Sequence, residues 1–154
     1  MPQRLFLIGF MGCGKSSTGK KMAQKLGLNF VDTDNFIENR YQKTISQLFE
    51  EVGEAKFREI EHKILLELAE FENIVIATGG GMPCFFNNME IMNAAGKTIY
   101  LKLPAAVLYE RLKKSKSKRT LLKNIPETDL QNFIEKLLHE RENFYNQAEE
   151  IISD

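Results

Sequence analysis

The chain has 154 residues, which is the size of one ordinary domain. Hydrophobic residues make up 43% and charged residues 27%, a globular composition that excludes a disordered chain, a collagen and a coiled coil. The 21 Lys and Arg residues balance the 21 Asp and Glu residues, so no overall field attracts nucleic acid or a membrane surface, and any anion site must come from local arrangement.

Short apolar runs alternate with longer amphipathic stretches. Apolar runs with β-branched residues predict strands buried on both faces of a parallel sheet, at residues 5–8, 29–31, 74–77, 98–101 and 151–152. Helical spacing of apolar residues predicts helices at residues 15–26, 57–71, 105–114 and 130–148. This alternation predicts one three-layer α/β/α domain over residues 1–154, with ligands bound beyond the carboxyl ends of the strands.

Residues 9–16, GFMGCGKS, match the phosphate-loop motif G-x-x-x-x-G-K-[ST] between a predicted strand and a predicted helix. The glycines allow close backbone approach, so that successive N–H groups point at one phosphate. The ammonium of Lys15 can reach the β- and γ-phosphates of ATP, and the Ser16 hydroxyl can bind Mg²⁺. A glycine turn without function is the alternative, but the strand–helix context favours nucleotide binding. The predicted nucleotide-binding residues here are Gly12, Cys13, Gly14, Lys15, Ser16 and Ser17.

Two carboxylates, Asp32 and Asp34, follow the second predicted strand and so lie at the same sheet edge as the phosphate loop. Asp32 could hold Mg²⁺, directly or through water. Asp34 could bind a substrate hydroxyl and accept its proton. The alternative is that one of them only caps a following helix, which could start at Asn35.

Three glycines, residues 79–81, follow the third predicted strand. Without side chains their N–H groups could donate to an anion, or a substrate ring could approach them closely. A flexible turn is the alternative, and their place at the carboxyl edge of the sheet favours a role in binding.

The segment 113–119 contains five basic residues in seven. A solvated charge run is the common explanation of such a segment. Neutral net charge argues against nucleic acid, so a mobile cationic lid over a triphosphate fits better. Arg119 would then supply positive charge in the transition state.

Charged residues interrupt two predicted apolar stripes. Arg141 occupies a stripe position of the last helix, where it could bind a carboxylate, reach the surface or form an internal ion pair. Glu61 interrupts the stripe of the second helix, three residues after Arg58. That pair is either a surface ion pair or a guanidinium held in place for an anionic substrate, and the residues alone leave both alternatives open.

Taken together, these features resemble the shikimate kinase family over about residues 4 to 150. The phosphate loop alone is generic, but the ordered combination is specific. The matching pieces are residues 9–16, 32–34, 45–49, 53–54, 57–58, 61, 79–81, 119–122, 141 and 145.

The resemblance implies ATP-dependent phosphorylation of the shikimate 3-hydroxyl, with Mg²⁺, by a nucleoside-monophosphate-kinase-like fold with a five-stranded parallel sheet. It implies a substrate-binding subdomain over about residues 33–61 and a lid over about residues 111–124. Asp34 would contact the ring hydroxyls, and Glu61 would orient Arg58. The further implied contacts are Arg58 and Arg141 on the shikimate carboxylate, Gly80 and Gly81 lining the site, Phe49 and Phe57 against the ring, Arg119 in the lid and Arg111 beside the adenine.

The sequence departs from the family pattern in three places. Thr120 replaces the proline of the usual Arg-Pro-Leu-Leu lid, which predicts a less stiff lid. Cys13 replaces a small hydroxyl residue or alanine. The sequence stops at Asp154, whereas family chains usually continue with an adenine-side loop and a helix. The chain is either naturally short or truncated, and adenine affinity and the sheet edge are the properties for which the resemblance gives no expectation.

The partners expected are therefore shikimate and ATP, with no nucleic acid, no membrane and a monomeric chain. Two cysteines are too few for a disulfide framework, and no apolar stretch approaches the ~20 residues of a membrane span, which predicts a cytoplasmic protein. Two other functions stay open: a kinase for gluconate or a nucleoside monophosphate, and a nucleotide-binding regulatory module without catalysis.

Overall fold

A computed structural model describes residues 3–153, apart from the side chain of Ser117, so the domain predicted over residues 1–154 extends beyond the described residues at both ends. The strands are β1 (Arg4–Ile8), β2 (Asn29–Asp32), β3 (Ile74–Ala77), β4 (Lys97–Lys102) and β5 (Glu150–Ser153). The helices are α1 (Lys15–Leu26), α2 (Thr33–Tyr41), α3 (Ile45–Leu68), α4 (Asn88–Ala95), α5 (Ala105–Leu112) and α6 (Leu130–Tyr145). Short 3₁₀ helices lie at Met82–Cys84, Lys116–Lys118 and Glu127–Asp129.

The strands form one parallel sheet in the order β2-β3-β1-β4-β5, which confirms the predicted five-stranded parallel α/β fold. β1 is central, and its residues Phe6, Leu7 and Ile8 are completely buried. Ala77, the last residue of β3, pairs with Leu7 of β1 and with Asp32 of β2. The three chain segments that follow these strands therefore meet at one edge of the sheet.

The prediction of strands buried on both faces is wrong for β2 and β5, the two strands at the ends of the sheet. In β2, Asn29 is exposed and the other three residues are half-buried. Ile151 and Ile152 are 45% and 43% exposed. β5 lies at the end of the strand order and pairs with β4. Because β5 lies at the edge of the sheet, its side chains on both faces are exposed to solvent.

The second predicted helix is longer at its start than the apolar spacing indicated. α3 begins at Ile45 behind a capping box, in which the Thr44 hydroxyl accepts a hydrogen bond from Gln47 N and the Gln47 side chain accepts one from Thr44 N. Gly53, with φ +83°, breaks the helical geometry inside α3. This kink separates the first half, residues 45–52, from the apolar stripe that begins at Phe57, which is why the stripe predicted only the second half.

Candidate active site

The phosphate loop has the backbone conformation that its glycines predict. Gly12 and Gly14 have φ of +80° and +95°, in the left-handed region, and α1 begins directly after Gly14. A cavity of about 350 Å³ lies over the loop and over the first turn of α1. Its loop residues are Met11, Gly12, Gly14, Lys15, Ser16 and Ser17. A helix N-terminus with a glycine loop in front of it is a general phosphate-binding arrangement.

The Lys15 ammonium lies inside the loop. Its Nζ donates to the carbonyl oxygens of Gly9 at 2.6 Å and Phe10 at 3.1 Å. Burial lowers the pKa of Lys15, because desolvation penalises the charged form. The residue also lines the nucleotide cavity, so the ammonium is available to an anion bound there.

The Asp32 carboxylate caps a helix with one oxygen and contacts the phosphate loop with the other. Its Oδ1 accepts hydrogen bonds from Asp34 N at 2.9 Å and from Asn35 N at 3.2 Å and so caps α2, which starts at Thr33 rather than at Asn35. Its Oδ2 accepts a hydrogen bond from the Ser16 hydroxyl. The capping role of Asp32 is therefore confirmed, and its metal-binding role stays a prediction that concerns the other oxygen.

The pair of Ser16 and Asp32 fits a magnesium ion that is bound together with a nucleotide. Mg²⁺ prefers hard oxygen ligands and is usually held by one or two carboxylates together with substrate phosphates and water. Within the described part of the chain there is no group of three or more His, Cys, Asp or Glu residues that could hold a metal without a substrate. The oxygen set is thus suited to Mg²⁺ brought in with phosphates.

A second cavity of about 520 Å³ adjoins the nucleotide cavity. It is lined by α2, by both halves of α3, by the glycine segment after β3, by residues 118–121 of the predicted lid and by Arg141 of α6. The residues that line both cavities are Met11, Asp32, Asp34, Gly79, Gly80 and Arg119. Asp34 and Arg119 thus lie where a group bound in one cavity would meet a group bound in the other.

Arg58 and Glu61 form a buried ion pair in the wall of the second cavity. The two residues are 5% and 2% exposed, and Arg58 Nη1 donates to Glu61 Oε1 at 2.7 Å. The alternative of a surface ion pair is therefore wrong. Burial raises the pKa of Glu61 to about 7, and the neighbouring guanidinium only partly offsets this effect. The Arg58 guanidinium also lies 4.4 Å from the centre of the Phe85 ring, which limits its motion.

Arg141 is 6% exposed, so the alternative that its side chain extends to the surface is wrong. Its guanidinium lies 5.7 Å from the centre of the Phe10 ring. Within residues 3–153, two buried guanidinium nitrogens have no hydrogen-bond partner, Arg141 Nη1 and Arg58 Nε. An unsatisfied buried donor costs about 1–3 kcal/mol, more when charged, and both arginines line the same cavity. The site therefore has donors available for an anionic ligand.

The three glycines after β3 make room for charged side chains. A Cβ atom on Gly79 would lie 2.9 Å from Asp34 Oδ1, and one on Gly81 would lie 2.5 Å from Arg58 Nη1. A Cβ atom on Gly80 would lie 3.3 Å from Arg141 Nη1. A side chain at Gly79 or Gly81 would therefore displace an ionisable group, whereas one at Gly80 would require only a small shift of the Arg141 guanidinium.

The expectation that the glycine N–H groups face an anion is wrong for Gly79, whose N–H donates to the Thr33 hydroxyl at 2.9 Å. The same segment is held from α6, since the Tyr145 hydroxyl donates to Gly80 O at 2.6 Å. These two bonds fix the backbone that supports both arginines.

Asp34 has the electrostatics of a proton acceptor near neutral pH. Burial, assisted by the negative charge of Asp32, raises its pKa to about 6, and the positive charge of Lys15 limits the increase. At pH 7 the group is mostly ionised, yet it holds a proton far more readily than an ordinary aspartate.

The comparisons with known proteins agree with this geometry. A family model described as shikimate kinase matches residues 11–154. The shikimate kinase of Phocaeicola vulgatus is 51% identical over 148 residues, which cover 96% of this chain and 85% of that protein. The crystal structure of a shikimate kinase from Bacteroides thetaiotaomicron has a TM-score of 0.94 and 48% identity, covering 99% of this chain and 87% of that one. The chain belongs to the shikimate kinase family.

A shikimate kinase from Acinetobacter baumannii, solved in complex with shikimate, is also similar, with a TM-score of 0.92 and 33% identity over 100% of this chain and 84% of that one. Shikimate kinases are ATP-dependent enzymes that use Mg²⁺ and transfer a phosphoryl group to a hydroxyl group of shikimate. Membership in the family decides against the two other functions that the sequence left open, a kinase for another substrate and a regulatory module.

Of the remaining predicted site residues, Phe49 and Phe57 line the second cavity, whereas Arg111 and Cys13 are among the lining residues of neither cavity. Arg111 is exposed, and its Nη1 donates to Gly12 O at 3.1 Å on the outside of the phosphate loop. Cys13 is buried, with its N–H donating to Phe10 O at 3.2 Å and its sulfur 3.9 Å from Lys15 Nζ. Phe49 and Phe57 line the second cavity with their ring centres 5.5 Å apart. The binding roles of Arg111 and Cys13 stay predictions.

Sequence reasoning missed part of the wall of the second cavity. The first half of α3 contributes Ile45 and Ser46, and the lid contributes Lys118 and Thr120. The capping box formed by Thr44 and Gln47 could have indicated a helix start at this position.

No helix between residues 3 and 153 is both long and apolar enough to cross a membrane.

Proposed function

We propose that this shikimate kinase grips the carboxylate of shikimate between Arg58 and Arg141 and presents the 3-hydroxyl of the ring to Asp34 and to the nucleotide cavity. The observation that carries the proposal is the pair of buried guanidinium nitrogens without partners, one from each arginine, in residues that line one cavity beside the phosphate loop. Arginine suits a planar carboxylate, because its N–H groups form parallel charge-assisted bonds.

Glu61 acts in this proposal as the residue that orients Arg58. Its bond to Nη1 and the contact of the guanidinium with Phe85 leave few rotamers open to the arginine. A preorganised guanidinium loses little entropy when the substrate binds. Gly80 and Gly81 form the adjoining wall, and Phe49 and Phe57 supply the apolar surface for the ring.

The phosphoryl group moves from the nucleotide cavity to the hydroxyl group in the second cavity. Lys15 and Arg119 hold its oxygens, since Lys15 lines the nucleotide cavity and Arg119 lines both cavities. Mg²⁺, held by Ser16 and Asp32 together with the phosphates, neutralises charge when it is bound. Positioning and charge stabilisation supply most of the rate enhancement in such a transfer.

Asp34 accepts the proton of the attacking hydroxyl in this scheme. The products are ADP and shikimate 3-phosphate, and the proton leaves later from the Asp34 carboxyl. A pKa of about 6 fits this task, because the group is ionised before the reaction and can hold the proton as the bond to phosphorus forms.

The proposal includes a substrate-binding subdomain over about residues 33–61 and a lid over about residues 111–124. Residues of both segments line the second cavity. We also place the enzyme in the cytoplasm, in keeping with its two free cysteines, Cys13 and Cys84. Fractionation of the source cells, followed by an activity assay, tests that location.

An ADP-release assay with shikimate and gluconate tests the function, and matched variants test the arginines. We expect Arg58→Lys and Arg141→Lys to raise KM for shikimate by about tenfold or more, because a lysine loses the bidentate geometry. The control is Arg40→Lys, which alters an exposed ion pair with Glu67 on the surface. Turnover of gluconate but not shikimate, or an unchanged KM in both arginine variants, would contradict the proposal.

A further inference from the structure

A pair of hydroxyl groups joins the lid to the substrate-binding subdomain. Ser46 Oγ lies 2.7 Å from Thr120 Oγ1, across 74 positions of the sequence. Both side chains are half-buried and both line the second cavity. Ser46 lies in the first turn of α3, and Thr120 lies in the lid directly after Arg119. The contact therefore bridges the cavity from one proposed moving part to the other.

The backbone around Thr120 links the Ser46–Thr120 contact to the position of Arg119. The Arg119 carbonyl accepts hydrogen bonds from Leu122 N and Lys123 N, each at 3.0 Å, so residues 119–123 form one tight turn. Leu122 anchors the turn in the core, because its side chain is completely buried. The hydrogen bond between Ser46 and Thr120 thus fixes the turn that supports the Arg119 guanidinium between the two cavities.

A second polar contact between the lid and α3 is an ion pair at the surface. Lys123 pairs with Glu50, but their side chains are 27% and 64% exposed, and exposed ion pairs contribute little. The two hydroxyls belong to half-buried side chains, whereas Glu50 is largely exposed, so water competes less for the hydroxyl pair than for that carboxylate. A proline at position 120 would have no hydroxyl for such a bond.

We propose that the Ser46–Thr120 hydroxyl pair is a latch that positions the lid over bound shikimate. The inference rests on the proposed function of the second cavity. Both hydroxyls are positioning groups, and neither is required for the phosphoryl transfer itself. The latch acts on the shikimate side of the enzyme, because Ser46 and Thr120 line the second cavity and are not among the residues that line the nucleotide cavity in the described chain.

The latch contacts α3 through Ser46, which lies in the half of the helix before the kink at Gly53. Gly53 has φ +83°, and it separates Ser46 from the second half, which carries Arg58 and Glu61. The first half is thus a separate helical segment, and its Phe49 ring contacts Phe57 of the second half. Loss of the latch should loosen the closed state while leaving the carboxylate grip intact.

Four variants and one control test the latch in steady-state assays that vary each substrate separately. We expect Thr120→Val and Ser46→Ala each to lower kcat/KM for shikimate about three- to tenfold, the range of one hydrogen bond, with KM for ATP changed less than twofold. The double variant should fall no further than either single variant, because both remove the same bond. Thr120→Ser keeps the hydroxyl and should retain the wild-type value. The control Thr128→Val makes the same exchange at an exposed position outside the cavities.

Several outcomes overturn the latch. These are an unchanged kcat/KM in Thr120→Val, an equal loss in Thr120→Ser or in Thr128→Val, or a double variant whose loss is the product of the single losses. Calorimetric titration of shikimate into the ADP-bound enzyme gives a readout independent of turnover, and the variants should show the same three- to tenfold weaker binding. Failure of the wild-type enzyme to phosphorylate shikimate would instead overturn the proposed function, so the two failures are distinguishable.

Discussion

A methyl group added at Gly81 tests whether the glycine segment exists to make room for Arg58. Gly81 has φ −90° and ψ −15°, which any L-residue adopts, so Gly81→Ala strains no backbone. The new Cβ atom would lie 2.5 Å from Arg58 Nη1 and 2.8 Å from Cζ and Nη2. The perturbation is therefore a steric displacement of one guanidinium group.

The size of the effect follows from these distances. Ordinary contact requires about 3.5 Å, so the guanidinium must move by about 1 Å. That movement disrupts the 2.7 Å bond to Glu61, and a charge-assisted bond of this kind contributes about 1.5–3 kcal/mol. A displacement of about 1 Å in a positioning group typically lowers the efficiency of an enzyme by up to 100-fold. We expect KM for shikimate to rise about ten- to hundredfold.

The assay measures ADP release while shikimate is varied at saturating ATP, and then the reverse. KM for ATP should change little, because Gly81 and Arg58 line the second cavity. Gly27→Ala serves as the control. Gly27 caps α1 at φ +71° with nothing within 4 Å of a new Cβ atom, so the variant loses about 1–2 kcal/mol of stability without touching the cavity.

Two results would refute the reasoning. One is a Gly81→Ala enzyme with a shikimate KM within twofold of wild type, which would mean that Arg58 can move without loss of function. The other is a Gly27→Ala enzyme with the same rise in KM, which would show that general destabilisation is responsible.

Three further predictions concern the phosphate loop and the carboxylates. Lys15→Met should lower kcat about 100- to 1,000-fold while the calorimetric Kd for shikimate stays near wild type, because the ammonium acts on the transferring phosphoryl group; weakened shikimate binding with normal kcat would contradict this. Asp34 should give kcat/KM for shikimate an acid limb with a midpoint near pH 6, since a raised pKa leaves the group protonated below that pH and unable to accept a proton. The pH profile of Asp34→Asn should lack this limb, and a limb that persists there belongs to another group. Asp32→Asn should raise the Mg²⁺ concentration for half-maximal activity by about tenfold or more with little change in melting temperature, because asparagine caps a helix as well as aspartate does; a large loss of stability would mean that capping dominates.

The strands of the sheet and the position of the phosphate loop could be predicted from the sequence. Both depend on local signals: apolar runs that end at glycines or at Asp32, and a motif whose glycines and lysine have fixed spacing. Parallel strands bring their carboxyl ends to one edge, so the convergence of Asp34 with the loop followed from topology alone. The kink at Gly53 and the helix before it escaped prediction, because a short helix with half-exposed residues has a weak apolar stripe.

The burial and the partners of Arg58, Glu61 and Arg141 became known only from the folded chain. An arginine on an apolar stripe has the same sequence pattern whether it reaches solvent or is buried, since the outcome depends on what packs above it. Burial of these groups beneath the glycine segment, with two guanidinium nitrogens lacking partners in residues 3–153, distinguishes a binding site from a surface ion pair. The contact between Ser46 and Thr120 is of the same kind, because no local signal couples positions 74 residues apart.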